Sequence, residues 1–486
     1  MLRVPLFDCP TFMEIKSAMS ISNPTTNDLC SLSASELASG YARRTFSPVE
    51  VLDAVFDRVE RLNPQLNAFF YLDREGARAA AHASADRWTR GESLGALDGV
   101  PVSVKDSVAV AGMPMYRGAA PFRNRKPSTS NSPPAARLFE AGAIVFGKTT
   151  MPDLGLLASG VSSAHGITRN PWNLNMNTGG SSSGGAAAVA ARLGPLTIGS
   201  DLGGSVRLPA AFCGLATLKP TQGRIPHLPP STMRSAGPIA RTVEDVALLM
   251  DVLARYDARD CGALGPEDGS YMSARVDDVR GWRVGLLENI GFGPNAHPEI
   301  HEAVRRAAEC MARAGASVEP AGPLVDSDPG DAFDRIFSAR GHHEIARLSD
   351  AERNALHPAV LQLAMRAVSM PAESYLAAQD EIEGFKMQVA ERTDAFDVVL
   401  MPATPVISYP ADAAAPDLDD VHQSIVPYTA MFNQTGQPAA VICGGFSQNG
   451  LPIGVQIVGR RHQDRRVLSA AAFLENALGV VRNWPF

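Results

Sequence analysis

The chain has 486 residues, with 44 Lys+Arg against 51 Asp+Glu and a formal net charge of −7; it is 45% hydrophobic and 20% charged. Those fractions belong to an ordinary globular protein and exclude a disordered or collagen-like chain, while the mild acidity argues against a broad basic footprint for DNA or RNA. No apolar run reaches the roughly 18 residues that would span a membrane. The six cysteines are scattered without a CxxC pair, which fits free thiols in a reducing compartment better than a disulfide framework. In residues 1–16, Asp8 and Pro10 interrupt any apolar core. The segment therefore reads as a tail rather than a secretion signal, and a cytoplasmic protein is the expectation.

Residues 1–30 are expected to be this tail, and 31–95 to be mainly helical. Ser47-Pro48-Val49-Glu50 forms a capping box with proline at the first helical position. Leu52, Val55, Phe56, Val59 and Leu62 then keep helical spacing until Asn63-Pro64 stops the run. An alanine-rich helix covers 75–90. From Gly99 strands and helices alternate. GVPVSVKD is a strand ending near Lys105, PPAARLFEAG a helix, and AIVFGK (143–148) a strand. GGAAAVAARL is a helix, PLTIGSD (195–201) and GLATLKP are strands, and a helix starts at Thr242. Further strands are expected at 282–288, 396–404, 438–445 and 453–459, and helices at 298–314 and 464–477. Residues 170–178, 222–240, 257–281 and 405–421 read as loops or connectors. Strands interleaved with helices imply an α/β fold, a sheet covered by helices on both faces. The helical stretch 298–395 breaks the alternation. It reads either as a cap over a site or as more helices on one face.

The most unusual segment is Thr178-Gly-Gly-Ser-Ser-Ser-Gly-Gly185, in which serines lie between paired glycines ahead of a helix. A second loop, Ser200-Asp-Leu-Gly-Gly-Ser205, ends a strand, where α/β sheets place ligands. A flexible linker fits poorly between such apolar flanks. A phosphate loop would want Lys and Ser/Thr where Ala186-Ala187 stand. A nucleophile elbow centred on Ser182 lacks the strand that should precede it. The remaining reading has Ser205 as a nucleophile on a Gly-Gly turn, with the N–H groups of Leu202, Gly203, Gly204 and Ser205 converging on an oxyanion. None of the ten histidines is embedded in these loops. Lys105 is the alternative base, because a lysine buried at a strand end loses charge and becomes basic near neutrality.

LDGVPVSVKD, GGSSSGG and GSDLGGSVRLPAAFCG, in that order, resemble the amidase signature family. AGAIVFGKTTMP, NPWN, LKPT, GPIARTVED and GLPIGVQIVG extend the resemblance over roughly residues 30–480. It implies one large α/β domain (31–486) with a twisted mixed sheet, holding a signature core at 96–260. It also implies a Ser–cis-Ser–Lys triad of Ser205, Ser181 and Lys105 that hydrolyses amides through an acyl-enzyme, with a cis peptide between Gly180 and Ser181. By the same resemblance Ser182, Asp201 and Arg207 support the turn, although Asp201 and Arg207 are equally consistent with a plain structural ion pair. Cys213 and Trp172 are read as packing residues.

The substrate is expected to be a small aryl or alkyl amide. Met115, Tyr116, Gly155, Leu156, Tyr428, Met431 and Phe432 are the candidates to line an apolar pocket. No cofactor and no metal site is expected, nor a nucleic-acid or membrane partner; a homodimer is left open. Two alternatives stand beside the amidase. One is the glutaminase subunit of a glutamyl-tRNA amidotransferase. Against it, the stretch after Lys105 and Gly160-Val-Ser-Ser-Ala-His165 depart from that subunit's pattern, and Ser235-Ala-Gly-Pro-Ile239 lacks its Ser-Leu-Asp-Gln lead-in. The other is a silent scaffold protein, against which all three triad positions are filled.

Overall fold

The structure is a computed structural model that describes residues 28–274 and 278–486. All but the last three residues of the expected tail lie outside them. Among the described residues fifteen strands occur in chain order: β1 Phe69–Leu72, β2 Pro101–Lys105, β3 Ile144–Thr149, β4 Val161–Ser162, β5 Gly166–Ile167, β6 Arg169–Asn170, β7 Asn173–Asn177, β8 Leu196–Asp201, β9 Ala216–Lys219, β10 Ser235–Ala240, β11 Arg283–Leu286, β12 Ser317–Pro320, β13 Val398–Pro402, β14 Ala439–Phe446 and β15 Pro452–Val458. Eleven of them form one sheet in the order β1-β3-β2-β8-β10-β9-β14-β15-β13-β11-β12. β2 is parallel to both β3 and β8, whereas β10 is antiparallel to β8 and β9. The sheet is therefore mixed.

Helices cover both faces, and the alternation along β3 shows why. Ile144 and Phe146 point into a cluster with Leu52, Val55, Phe56 and Val59 of the helix Pro48–Leu66. Val145 points the other way, into the cluster holding Leu138 and residues of the helices Val243–Leu253, Pro298–Arg313 and Asp464–Leu478. Burying each such side chain stabilises the fold by about 1.5–3 kcal/mol.

Several expectations are corrected. The helix from Pro48 continues through Pro64 to Leu66 and ends on Asn67 at φ 52°. Asn63 still makes the boundary, because its Oδ1 accepts the N–H groups of Ala68 and Phe69 at 2.8 and 2.9 Å. β1 follows inside the stretch expected to be helical. The loop expected at 222–240 ends in a central strand, β10, despite Pro238. Pairing with β9 begins only at Ile239, so the missing proline N–H costs that side no ladder bond. The Asn-rich loop contains β7, which pairs with β6. The stretch 298–395 carries an edge strand, β12, between its helices.

Candidate active site

Every residue of β2 is buried, and Lys105 is its last, at the carboxyl ends of parallel β2 and β8. Its Nζ lies 2.8 Å from Ser181 Oγ, 3.1 Å from the Ser200 carbonyl and 3.2 Å from Ser200 Oγ. Among the described residues no carboxylate forms an ion pair with it. Burial brings its pKa down to about 7; Arg234 pushes the same way, while Asp201 and Asp106 oppose. An uncharged amine has two N–H donors and one lone pair. It can therefore donate to Ser200 while accepting the Ser181 hydroxyl proton.

Ser181 enters from a loop pinned by asparagines. Asn177 Oδ1 accepts the N–H groups of Gly160 and Gly179 at 3.0 and 2.9 Å, and its Nδ2 donates to Ser159 Oγ at 2.9 Å. Asn170 Nδ2 donates to the carbonyls of Asn177 and Phe212. The Gly180–Ser181 peptide is cis. A Cβ on Gly180 would stand 2.4 Å from the Ser159 carbonyl oxygen, so only glycine fits there. The helix Ser183–Ala190 follows, built wholly of buried small residues and valine. Ser182 ties the two loops: its N–H donates to the Ser205 carbonyl at 3.0 Å and its hydroxyl to the Ser200 carbonyl at 3.4 Å.

Ser205 follows a turn held by Asp201 and Arg207, both without solvent exposure. The Asp201 carboxylate accepts Gly204 N–H at 2.7 Å, Val206 N–H at 3.1 Å and two guanidinium N–H groups of Arg207 at 3.0 Å. Burial alone would raise this carboxyl; the Arg207 charge and hydrogen bonds outweigh burial and hold it well below the usual range. The rest of Arg207 donates to the Thr429 carbonyl, Gln456 Oε1 and Asn433 Oδ1 at 2.6–2.9 Å. The pair is thus the hub of a network satisfied on every side.

That network corrects one expectation. The Gly204 N–H is spent on Asp201, which leaves Leu202, Gly203 and Ser205 as the amides of the turn without a partner among the described residues. Ser205 is 8% exposed, and no hydrogen bond joins its hydroxyl to Ser181 among the described residues.

Two cavities flank the serines. One, of about 360 Å³, is lined by Ser181, Ser200, Leu202, Met115 and Gly155. The other is a recess of about 20 Å³ lined by Ser205, Gly203, Leu156, Leu208 and Phe337. Of the pocket candidates, Met115 and Gly155 line the first cavity, and Gly155 and Leu156 the second. Tyr428, Met431 and Phe432 line neither cavity: they are buried core residues, and the Tyr428 hydroxyl is occupied by the Ala296 N–H and Pro294 carbonyl. Tyr116 packs on Phe70 and His165 instead. Nor is the larger cavity simply apolar, since Arg117, Arg125, Arg234 and Glu344 also line it. Trp172 packs on Phe446 and Trp484, and Cys213 is fully buried, its thiol pushed up by that burial.

Sequence reasoning passed over Asn177, Ser200, Asn433 and Gln456. The density of asparagine before the serine loop was the one signal for Asn177; nothing local marked the others. Arg234 and Glu344 were also missed, being contributed by a segment read as loop and by the helix Gly330–Ile345.

The amidase family model matches residues 50–468. The chain belongs to the amidase family, and it is an amide-hydrolysing enzyme. It is 32% identical to an acylamidase of Rhodococcus erythropolis, over 95% of this chain and 97% of that protein. It is 34% identical to a glutamyl-tRNA(Gln) amidotransferase subunit of Methylococcus capsulatus, over 90% and 95%. Its fold is similar to that of a bacterial aryl acylamidase of the amidase signature enzymes, with a TM-score of 0.84, 28% identity and 92% and 96% of the two chains covered. No described helix is long and apolar enough to cross a membrane.

Proposed function

We propose that Ser205, Ser181 and Lys105 form the proton relay of this amidase. Neutral Lys105 draws the proton of Ser181, which takes that of Ser205 as Ser205 Oγ attacks the amide carbonyl carbon. The oxyanion meets the free N–H groups of Leu202, Gly203 and Ser205. Collapse expels the amine, which receives the proton back through Ser181, and water hydrolyses the acyl-enzyme by the reverse path. Asp201 and Arg207 act as positioning residues for the turn. The observation that carries the reading is a fully buried lysine, unpaired with any described carboxylate, 2.8 Å from the bridging hydroxyl.

The helix Gly330–Ile345 supplies Phe337 and Glu344 to the two cavities, which supports the stretch 298–395 as a cover over the site. A small aryl or alkyl amide is the substrate class, in line with the acylamidase relatives, and the cytoplasm the compartment. A fluorophosphonate should label the wild type and spare Ser205→Ala; absence of label on a folded wild type refutes the nucleophile. The amidotransferase reading is kept because of the 34% identity to the Methylococcus protein. Ammonia release from glutamine that depends on a co-purifying partner would establish it, and gel filtration of the pure chain separates a homodimer from a monomer.

A further inference from the structure

The recess holding Ser205 is about 20 Å³, room for a water or a methyl-sized group. The bulk of a bound amide must therefore extend into the 360 Å³ cavity on the Ser181 side. That cavity has three guanidinium groups against one carboxylate, Glu344. Arg117 is spent on Glu344, with both terminal nitrogens at 2.8 Å. Arg125 lies over the Phe122 ring, 3.4 Å from its centroid.

Arg234 differs from both. Among the described residues its guanidinium has neither a hydrogen bond nor an ion pair, although the residue is partly buried. Its backbone is anchored: the N–H donates to Ser231 Oγ at 3.1 Å, and the carbonyl accepts Gln222 Nε2 at 3.0 Å. A chamber of about 460 Å³ adjoins the cavity, sharing Pro229, Arg234 and Glu344 and adding Arg340. Burial and the neighbouring charges of Arg340 and Arg117 push Arg234 down to about 10, with Glu344 opposing. A planar cation in that company, its N–H fork unspent, suits a carboxylate bidentately. Met115, Met151 and Leu154, which line the same cavity, suit an apolar stem.

We propose that this cavity selects amides bearing a carboxylate remote from the scissile bond, held by Arg234, with the charge of Arg340 in the adjoining chamber adding to the attraction. The inference rests on Ser205 as the nucleophile beside the cavity.

The test uses two matched pairs of anilides. 4-Acetamidobenzoate against acetanilide puts the carboxylate on the leaving amine. Glutaric acid monoanilide against valeranilide puts it on the acyl side. Binding is measured calorimetrically to folded Ser205→Ala protein, so no turnover is needed. In at least one pair the charged member should bind about tenfold or more tighter, and that pair shows which side of the amide carries the anion. Arg234→Gln should bring the ratio close to one, and Arg234→Lys should keep part of it. Wild-type turnover of the same compounds should show the preference in KM rather than kcat. Equal binding within both pairs, or a preference that survives Arg234→Gln, overturns the proposal. Failure of the nucleophile reading shows separately, as a wild type that no fluorophosphonate labels.

Discussion

Replacing Lys105 with methionine should abolish activity without weakening the fold, because the two depend on the amine with opposite signs. Methionine keeps an unbranched stem and carries no basic nitrogen. Lys105 is 1% exposed, and burial brings its pKa from 10.5 to about 7. Each unit is about 1.4 kcal/mol, so holding the amine there costs the folded enzyme on the order of 4–5 kcal/mol at neutral pH. Its hydrogen bonds to Ser181 and Ser200 offset about 0.5–1.5 kcal/mol each. With three such bonds, the variant should be between about as stable as the wild type and about 3 kcal/mol more stable, by urea unfolding near neutral pH. Between the folded pKa of about 7 and the unfolded 10.5 the unfolded chain binds the extra proton. Wild-type stability thus rises with pH across that window and the gap closes. Anilide hydrolysis should fall by about 10²–10⁴-fold or more. In the wild type, kcat/KM should drop tenfold per pH unit below about 7 and level off above it. A variant retaining more than about one-hundredth of the activity, or a flat wild-type profile, would refute the relay.

Asp201→Asn leaves Arg207 charged and buried without its counter-charge, although Thr429, Gln456 and Asn433 still accept from it; urea unfolding should register a loss of about 3–5 kcal/mol, and an unchanged midpoint would mean the pair is not the hub described. Gly204→Ala puts a Cβ 2.4 Å from Thr429 Oγ1 at a φ of +128°. Amidase activity and fluorophosphonate labelling should both fall at least about tenfold while the circular dichroism spectrum is retained; wild-type rates would show that the turn tolerates displacement.

Much of this was legible because the residues proposed to do the chemistry are also the residues that make unusual local pattern. GGSSSGG stands out against its flanks since only glycine allows Gly180 to approach the Ser159 backbone. The Lys105 strand was readable because so apolar a run seldom carries a lysine at its end unless the amine is wanted inside. β10 was not legible: SAGPIA carries both Gly and Pro, and its place in the sheet comes from β8, whose partner residues lie more than thirty positions earlier. The aromatic candidates at 428–432 failed for the converse reason. A buried aromatic on a helix looks the same from its sequence whether core or cavity lies against it. Arg234 was hidden because its meaning depends on what does not pair with it, and a sequence displays no partners.

The Asp201–Arg207 hub has a consequence for how the enzyme comes into being. Its acceptors include Asn433 and Gln456, the second on β15, more than two hundred positions after the turn. A chain still emerging from the ribosome can complete its early β–α units long before those two side chains exist. The turn carrying Ser205 stays unfinished until residues as far as Gln456 have been made, so fragments that stop before β15 should be inert however well their first half folds.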